Sequence, residues 1–125
     1  VNRDIVMPGV ILHDVGKAFC YKWEDSSSGY VHTPENIQFH HIPMGFHHFM
    51  RQAEIYNSCG YTHALSEKTV ADLGHIILSH HGRRSWSSPV IPQTIEAYIV
   101  HIVEMMDAFV DKYNKGCCIR DIYDH

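Results

Sequence analysis

Side chains of the types that ligate metal ions are grouped at four places in this sequence. His13-Asp14 ends an apolar run, paired histidines follow at positions 40–41 and 80–81, and Glu104 and Asp107 lie three residues apart. Imidazole and carboxylate groups together suit manganese, iron, cobalt or nickel better than magnesium or calcium. We therefore predict one or two divalent metal ions, with these ligands: His13, Asp14, His41, His80, His81, Glu104 and Asp107.

Asp14 is the carboxylate expected at the centre of such a site. A two-metal site needs a carboxylate that bridges the ions, and Asp14 directly follows the ligand His13 at the predicted end of a helix. Glu104 and Asp107 are spaced to share one face of a later helix, so either can supply the last ligand. His75, shortly before the second histidine pair, is a candidate to orient a ligand.

Cationic and aromatic residues beside these candidates suit a phosphodiester substrate. Lys17 lies one turn beyond Asp14, and Arg83 and Arg84 follow the second histidine pair, where guanidinium groups can hold phosphates. Trp86 is equally consistent with stacking on a base and with closing a loop onto the core. Hydrolysis concentrates charge on phosphoryl oxygens, and metal ions and cations stabilise that charge. We expect Asp14, Lys17 and Arg83 to be catalytic.

Composition indicates one small globular domain that is unusually rich in histidine. The chain has 125 residues, 45% hydrophobic and 19% charged, which fits one modest core. Twelve histidines against fourteen acidic residues favour metal chemistry, although paired histidines also occur on ordinary helix surfaces. A net charge of −4 argues against binding nucleic acid through a basic face alone. Because no membrane-spanning run or secretory signal is visible, we expect a cytoplasmic protein with reduced thiols.

Helical periodicity predicts the elements that hold these residues. We expect an all-α bundle with helices over about 2–13, 35–57, 66–82 and 93–113, and no convincing strand. Pro43 and Gly45 should interrupt the second helix, residues 21–34 and 82–92 are interpreted as loops, and a turn is expected over 117–125. The apolar run at 10–12 predicts a buried helix end. The apolar face expected for the fourth helix is Ile95, Ile99, Ile102, Val103, Met106 and Val110.

The order of these motifs resembles the HD superfamily of metal-dependent phosphohydrolases. His13-Asp14 with Lys17 comes first, then a later histidine, then a histidine pair, then an acid on the final helix. Residues 2–17 and 78–92 are similar to the HD domain of bacterial 3′→5′ exoribonucleases of the kind once called CMP-repeat-binding factors. Similar residues also occur in the last helix: Glu96, Ala97, His101, Glu104, Asp107 and Ala108.

This resemblance implies that residues 1–125 form a single helical HD-type domain that uses divalent metal ions. It implies removal of nucleotides from the ends of RNA or single-stranded DNA, most consistent with action from the 3′ end. The alternative activity on the same site is that of a nucleotide or cyclic-nucleotide phosphohydrolase. The non-enzymatic alternative is a catalytically reduced subunit with a structural role in an assembly. A homo-oligomer, or further domains of a longer chain, also agrees with the sequence.

The sequence departs from the HD pattern in several respects. In that family an earlier helix carries the first histidine ligand, and residues 1–12 contain no equivalent. We therefore expect a partial domain, either a piece of a longer protein or a reduced form. Glu104 stands where the family usually has an aspartate, so Asp107 can share or take its role. His40-His41 follows Phe39 in place of a glycine-histidine motif, and the OB domain that precedes the HD domain in these exonucleases is missing.

Overall fold

The computed structural model describes residues 1–118 and shows a mostly helical domain, which confirms the predicted all-α class. In chain order the elements are α1 (Arg3–Leu12), α2 (Lys17–Cys20), β1 (Tyr21–Glu24), β2 (Gly29–His32), α3 (Pro34–Phe39), α4 (His41–Ser58), α5 (Glu67–Ser79) and α6 (Ile95–Asn114). A short 3-10 turn over Arg84–Trp86 lies between α5 and α6. The turn expected over 117–125 lies almost wholly outside the described residues. Within residues 1–118, no helix combines the length and apolarity needed to cross a bilayer.

Side-chain caps define where four of the helices begin, among them α3, where Thr33 accepts the backbone N–H of Asn36 at 3.2 Å. Asn2 caps α1 by accepting the backbone N–H of Asp4 at 2.9 Å, and Ser66 caps α5 by accepting that of Thr69 at 3.0 Å. Thr94 caps α6 in the same way. Each cap satisfies an N–H group that has no partner inside the first turn. The observed helix starts therefore lie within two residues of the predicted ones.

The core is centred on α5, which packs against α1, α4 and α6. Gly9 lets α1 approach α5 closely, because a Cβ at this position would lie 2.6 Å from Cδ1 of Ile76. The C-terminal end of α5 is thereby held beside the end of α1 and the start of α4. The buried apolar cluster consists of Ile5, Phe49, Leu73, Ile76, Ile77, Ala97 and Val100.

Residues 21–32 form an antiparallel β-hairpin, so the prediction of a loop without strands is wrong. Trp23 lies opposite Tyr30, and their ring centroids are 5.4 Å apart in an edge-to-face arrangement. Aromatic residues flank the polar turn on both sides, and the β-branched Val31 follows it on the second strand. The sequence pattern indicates a loop over the whole segment because the Ser-rich turn separates two strands of only four residues each.

The second predicted helix is divided at His40, not at Pro43 or Gly45. His40 has φ of 64° and separates α3 from α4. Pro43 lies in the first turn of α4, where the missing N–H has no helical partner to lose. Gly45 continues the helix and faces Gly16, whose backbone nitrogen would lie 3.0 Å from a Cβ at position 45. The break makes His41 the first residue of α4.

The apolar face predicted for α6 is largely wrong. Val103, Met106 and Val110 are exposed, whereas Val100 is 2% exposed and faces the core. Apolar residues surround much of this helix, so periodicity alone does not select the face that meets α5. The run at 10–12 is not buried as expected either, since Ile11 is 77% exposed.

Candidate metal centre

The candidate ligands come together where α1 and α5 end, α4 begins and the middle of α6 passes them. Because α5 packs against the other three helices, its C-terminal end determines this meeting point. Two groups of three residues hold their ligand atoms within 4.8 Å of one another. These groups are His41, His80 and His81, and His13, Asp14 and Glu104.

Asp14 joins the two groups through close approaches to side chains from three segments. Its Oδ1 is 3.4 Å from Nε2 of His41 and 3.6 Å from Nε2 of His80. Its Oδ2 is 3.5 Å from Nε2 of His13 and accepts a hydrogen bond from Nζ of Lys17 at 2.5 Å. The carboxylate therefore has the position that a bridging ligand requires.

Backbone carbonyl groups determine the tautomers of three histidine rings. Nδ1 of His13, of His80 and of His81 each donates to a backbone carbonyl at 2.7 Å. Since a carbonyl oxygen only accepts, Nδ1 carries the proton, and Nε2 of a neutral ring has a free lone pair. Nε2 of His13 and of His80 faces Asp14, and Nε2 of His81 is 3.7 Å from Oε1 of Glu104. This is the tautomer and orientation that metal-ligating histidines adopt.

Three buried polar atoms of the cluster have no hydrogen-bond partner among residues 1–118: Oδ1 of Asp14, Nε2 of His41 and Nε2 of His80. A buried polar atom without a partner typically costs about 1–3 kcal/mol. Ligand bonds of about 2.0–2.2 Å place neighbouring ligand atoms roughly 3–3.5 Å apart. The separations of 3.4 and 3.6 Å are close to that spacing. The residues present therefore fit a divalent metal ion.

The surroundings of Asp14, His41 and His81 favour the protonation states that a metal requires, whereas His13 would have to release a proton. Burial alone would raise the pKa of Asp14, but adjacent imidazole nitrogens and the Lys17 ammonium outweigh it and hold this pKa well below its ordinary range. Burial lowers the pKa of His41 to about 4 and also lowers that of His81. Asp14 raises the pKa of His13, so proton release at this ring would accompany metal binding.

Gly16 allows the segment that carries Asp14 to lie directly against the start of α4. A Cβ at Gly16 would lie 1.8 Å from the backbone oxygen of His41 and 2.7 Å from the nitrogen of Gly45. Its φ of −62° is ordinary for any residue, so the close approach is what requires glycine. This contact keeps Asp14 beside the His41 ring.

His101 is a buried residue of this region that the ligand pattern did not predict. Its Nδ1 donates to the backbone carbonyl of His80 at 2.8 Å and so joins α6 to the end of α5. Gly82, with φ of 74°, makes room for the ring, because a Cβ there would lie 2.1 Å from Cε1 of His101. Its position three residues before Glu104, on the same helical face, was the available sequence signal.

Several predicted residues lie outside the ligand groups. Asp107 and Arg84 are exposed, and neither is part of the two groups. Arg83 is also exposed, and its Cζ lies 4.6 Å from the ring centroid of Trp86. Trp86 is half-buried, and its backbone oxygen accepts the Nδ1 proton of His81. The tryptophan therefore supports a ligand through its backbone while its ring contacts a cation.

Two further candidates have definite partners. Lys17 is half exposed and neutralises Oδ2 of Asp14, so its ammonium lies at the edge of the cluster. His75 does not orient a ligand; its Nε2 instead accepts the backbone N–H of Gln93 at 2.9 Å, just before α6. Burial lowers the pKa of His75. This hydrogen bond joins α5 to the segment that leads into α6.

A cavity of about 390 Å³ opens beside the ligand cluster. His81 and Glu104 belong both to the cluster and to the wall of this cavity. The other lining residues are Trp86, His101, Met105, Ala108, Phe109 and Lys112. A molecule bound in the cavity would therefore touch the candidate ligands.

The chain is thus an all-α domain with a candidate metal centre of histidines and carboxylates. It is similar to bacterial proteins named 3′-5′ exoribonuclease YhaM. The protein from Listeria welshimeri is 34% identical over 115 residues, which are 92% of this chain and 34% of the relative. That from Geobacillus sp. (strain WCH70) is 35% identical over 116 residues, 93% of this chain and 33% of the relative. The protein from Bacillus subtilis (strain 168) is 34% identical over 116 residues, which are 93% of this chain and 34% of the relative.

The chain spans about a third of the length of these relatives. A match that covers 115 of 125 residues must include residues 11–115, and therefore every candidate ligand. No protein-family model matches the chain, and the search of solved structures found no match.

Proposed function

We propose that this chain is an HD-type domain of a 3′→5′ exoribonuclease that hydrolyses phosphodiester bonds with divalent metal ions. The observation that carries the proposal is the convergence of Asp14, His41 and His80, whose buried atoms have no hydrogen-bond partner within residues 1–118. Metal binding would satisfy all three atoms. The name of the relatives supplies the substrate class, RNA, and single-stranded DNA is the related substrate to be tested.

The proposed ligands are one carboxylate shared between two groups, together with the histidines and glutamate around it. Mixed imidazole and carboxylate ligation favours Mn, Fe, Co or Ni over Mg. Divalent ions would supply Lewis acidity toward the phosphoryl group and toward water. Of the two acidic residues on α6, Glu104 is proposed as the last ligand, because it lies in a ligand group and Asp107 does not. The complete set is His13, Asp14, His41, His80, His81 and Glu104.

Lys17 and Arg83 are the residues proposed to neutralise the phosphate of the substrate. The ammonium group of Lys17 pairs with Oδ2 of Asp14 and is half exposed to solvent at the edge of the cluster. Arg83 follows the histidine pair, and its planar guanidinium can donate two hydrogen bonds to one phosphate. Trp86 would stack on a base, and the exposed Arg84 would contact a phosphate further along the strand.

The unpaired atoms also favour an enzyme over a subunit with only a structural role. Asp14, His41 and His80 together leave three buried polar atoms unsatisfied within the described residues, at about 1–3 kcal/mol each. A structural subunit would gain stability by replacing them with paired or apolar groups. Function is the physical reason to keep them.

A substrate panel tests the proposal directly. With Mn²⁺, single-stranded RNA labelled at its 5′ end should shorten stepwise from the 3′ end and release nucleoside monophosphates. EDTA should abolish this activity, and added Mn²⁺ should restore it. Single-stranded DNA of the same sequence tests the sugar. Turnover of free or cyclic nucleotides without shortening of RNA would overturn the exonuclease assignment in favour of the alternative phosphohydrolase.

A further inference from the structure

We propose that the cavity beside His81 and Glu104 is the subsite for the base of the 3′-terminal nucleotide. This inference rests on the proposed exonuclease function and assigns substrate contacts to Met105, Ala108 and Lys112. A nucleotide whose phosphate lies at the ligand cluster would direct its base along α6 into this cavity.

The first argument is continuity between the cavity and the cluster. His81 and Glu104 are 3.7 Å apart through Nε2 and Oε1, and both line the cavity. Trp86 also lines the cavity, and its backbone oxygen accepts a hydrogen bond from Nδ1 of His81. A ligand in the cavity is therefore next to the atoms proposed to bind metal, so the two places can hold one nucleotide.

The second argument is the shape of the cavity. Glu104, Ala108 and Lys112 are spaced four residues apart and so lie along one face of α6. The rise from Glu104 to Lys112 is about 12 Å at about 1.5 Å per residue. The small side chain of Ala108 leaves the middle of this stretch open. A volume of about 390 Å³ lies near the lower end of the range for ligand pockets, about 300–1,000 Å³, and suits a single nucleoside.

The third argument is the chemistry of the lining. Trp86 and Phe109 supply aromatic surface, and Met105 adds a polarisable thioether. Bases stack on aromatic rings without much dependence on sequence, as removal of any of the four nucleotides requires. Lys112 places an ammonium donor at the far end, where it can meet acceptor atoms on the edge of a base. An inorganic phosphate would gain nothing from the apolar walls.

Tryptophan fluorescence can measure this binding without catalysis. The chain has two tryptophans, and Trp23 is 56% exposed in the β-hairpin, so Trp23→Phe leaves Trp86 as the single reporter. AMP, which carries a base, should quench the Trp86 emission. Ribose 5-phosphate, which has the same phosphate and sugar but no base, should not quench it. Both titrations are made with the same added Mn²⁺.

Two substitutions on α6 locate the effect. Ala108→Phe fills the cavity and should weaken AMP binding about tenfold, which corresponds to the loss of one stacked base. Val110→Phe is the matched control, because Val110 is exposed on the same helix and does not line the cavity. In RNA hydrolysis, Ala108→Phe should raise KM and remove the preference for a terminal nucleotide over a terminal abasic residue.

The outcomes of these experiments distinguish failure of the base subsite from failure of the proposed exonuclease function. Equal quenching by AMP and ribose 5-phosphate, or AMP binding that Ala108→Phe leaves unchanged, would overturn the subsite even if RNA is digested normally. Base-dependent quenching that Ala108→Phe weakens and Val110→Phe preserves would support it. If RNA is not shortened while that base-dependent quenching persists, the exonuclease function fails and the cavity still binds a base.

Discussion

Nε2 of His80 lies 3.6 Å from Oδ1 of Asp14, and within residues 1–118 neither atom has a hydrogen-bond partner. The His80 side chain is completely buried, and its Nδ1–H is already used by the backbone carbonyl of Ile77. The lone pair of Nε2 is therefore directed at the carboxylate and not at solvent. This relationship favours a metal ligand pair over an ordinary core contact, and it leads to the predictions below.

Asp14→Asn should lower metal affinity and RNA hydrolysis by more than about 100-fold, beyond the 10–100-fold typical of losing a group outside the ligand set. The substitution keeps the size of the side chain but removes the charge that the surrounding nitrogens stabilise. Isothermal titration with Mn²⁺ and the RNA assay measure the two effects.

Asp72→Asn is the control, because Asp72 forms a similar carboxylate–lysine pair with Lys68 at 2.5 Å and has similar side-chain exposure to Asp14. It should leave both quantities unchanged. Full activity in Asp14→Asn would show that hydrolysis does not depend on this cluster.

Glu104→Gln should weaken Mn²⁺ binding, whereas Asp107→Asn should leave it unchanged. Glu104 lies 3.7 Å from His81 and belongs to a ligand group, whereas Asp107, three residues later on α6, is exposed. We expect Glu104→Gln to reduce Mn²⁺ affinity at least about tenfold and Asp107→Asn to have no effect. A larger loss in Asp107→Asn, measured by the same titration, would reassign the last ligand.

Gly16→Ala should destabilise the fold by about 1–3 kcal/mol or more, because the added Cβ would lie 1.8 Å from the backbone oxygen of His41. Separation of the two segments should also weaken Mn²⁺ binding. Urea unfolding measures the stability, and titration measures the affinity.

Gly29→Ala is the matched control, since its nearest contact would be an ordinary 3.8 Å to Ser27. If Gly16→Ala is as stable as Gly29→Ala, then the close approach of the two segments does not constrain the fold.

Manganese should stabilise the folded chain by mass action. A ligand that binds only the native state adds about 2.7 kcal/mol at a free concentration 100 times its Kd. The cluster has the unpaired atoms to receive such an ion. Thermal unfolding should therefore shift upward with Mn²⁺ and return with EDTA. An unchanged midpoint, together with no bound manganese or iron in the purified chain, would contradict the enzyme hypothesis.

Acid should weaken the contact between His75 and Gln93. The neutral ring accepts the backbone N–H of Gln93, and burial lowers the pKa of His75 below 6.5. The unfolded chain therefore binds more protons between the two pKa values, and stability falls as pH decreases from about 6.5. His75→Gln retains an acceptor that does not titrate, so it should lose less stability over this interval than the unmodified chain.

His63→Gln is the control for this experiment, because His63 is exposed. Its urea unfolding should follow the unmodified chain across the same pH interval. Equal acid sensitivity of His75→Gln and His63→Gln would show that the contact with Gln93 does not contribute to the pH dependence.

The sequence by itself determined the helical class, the Ser66 cap of α5 and the chemical types of the candidate site residues. Ser66, with the spacing of Leu73 and Ile77 behind it, predicts α5 because capping and helical periodicity are local properties. Capping and periodicity need no knowledge of distant parts of the chain. The residue types of His13-Asp14 predict metal ligands only when they are taken together with the later histidine pairs and Glu104.

Only the tertiary structure decided which residues meet. It placed Glu104 in the cluster and left Asp107 in solvent, although both lie on α6 three residues apart. It also divided the second predicted helix at His40 and tied His101 to the end of α5. The reason is physical: the rotation of one helix against another is set by close approaches such as that of Gly9 in α1 to Ile76 in α5, and periodicity carries no information about them.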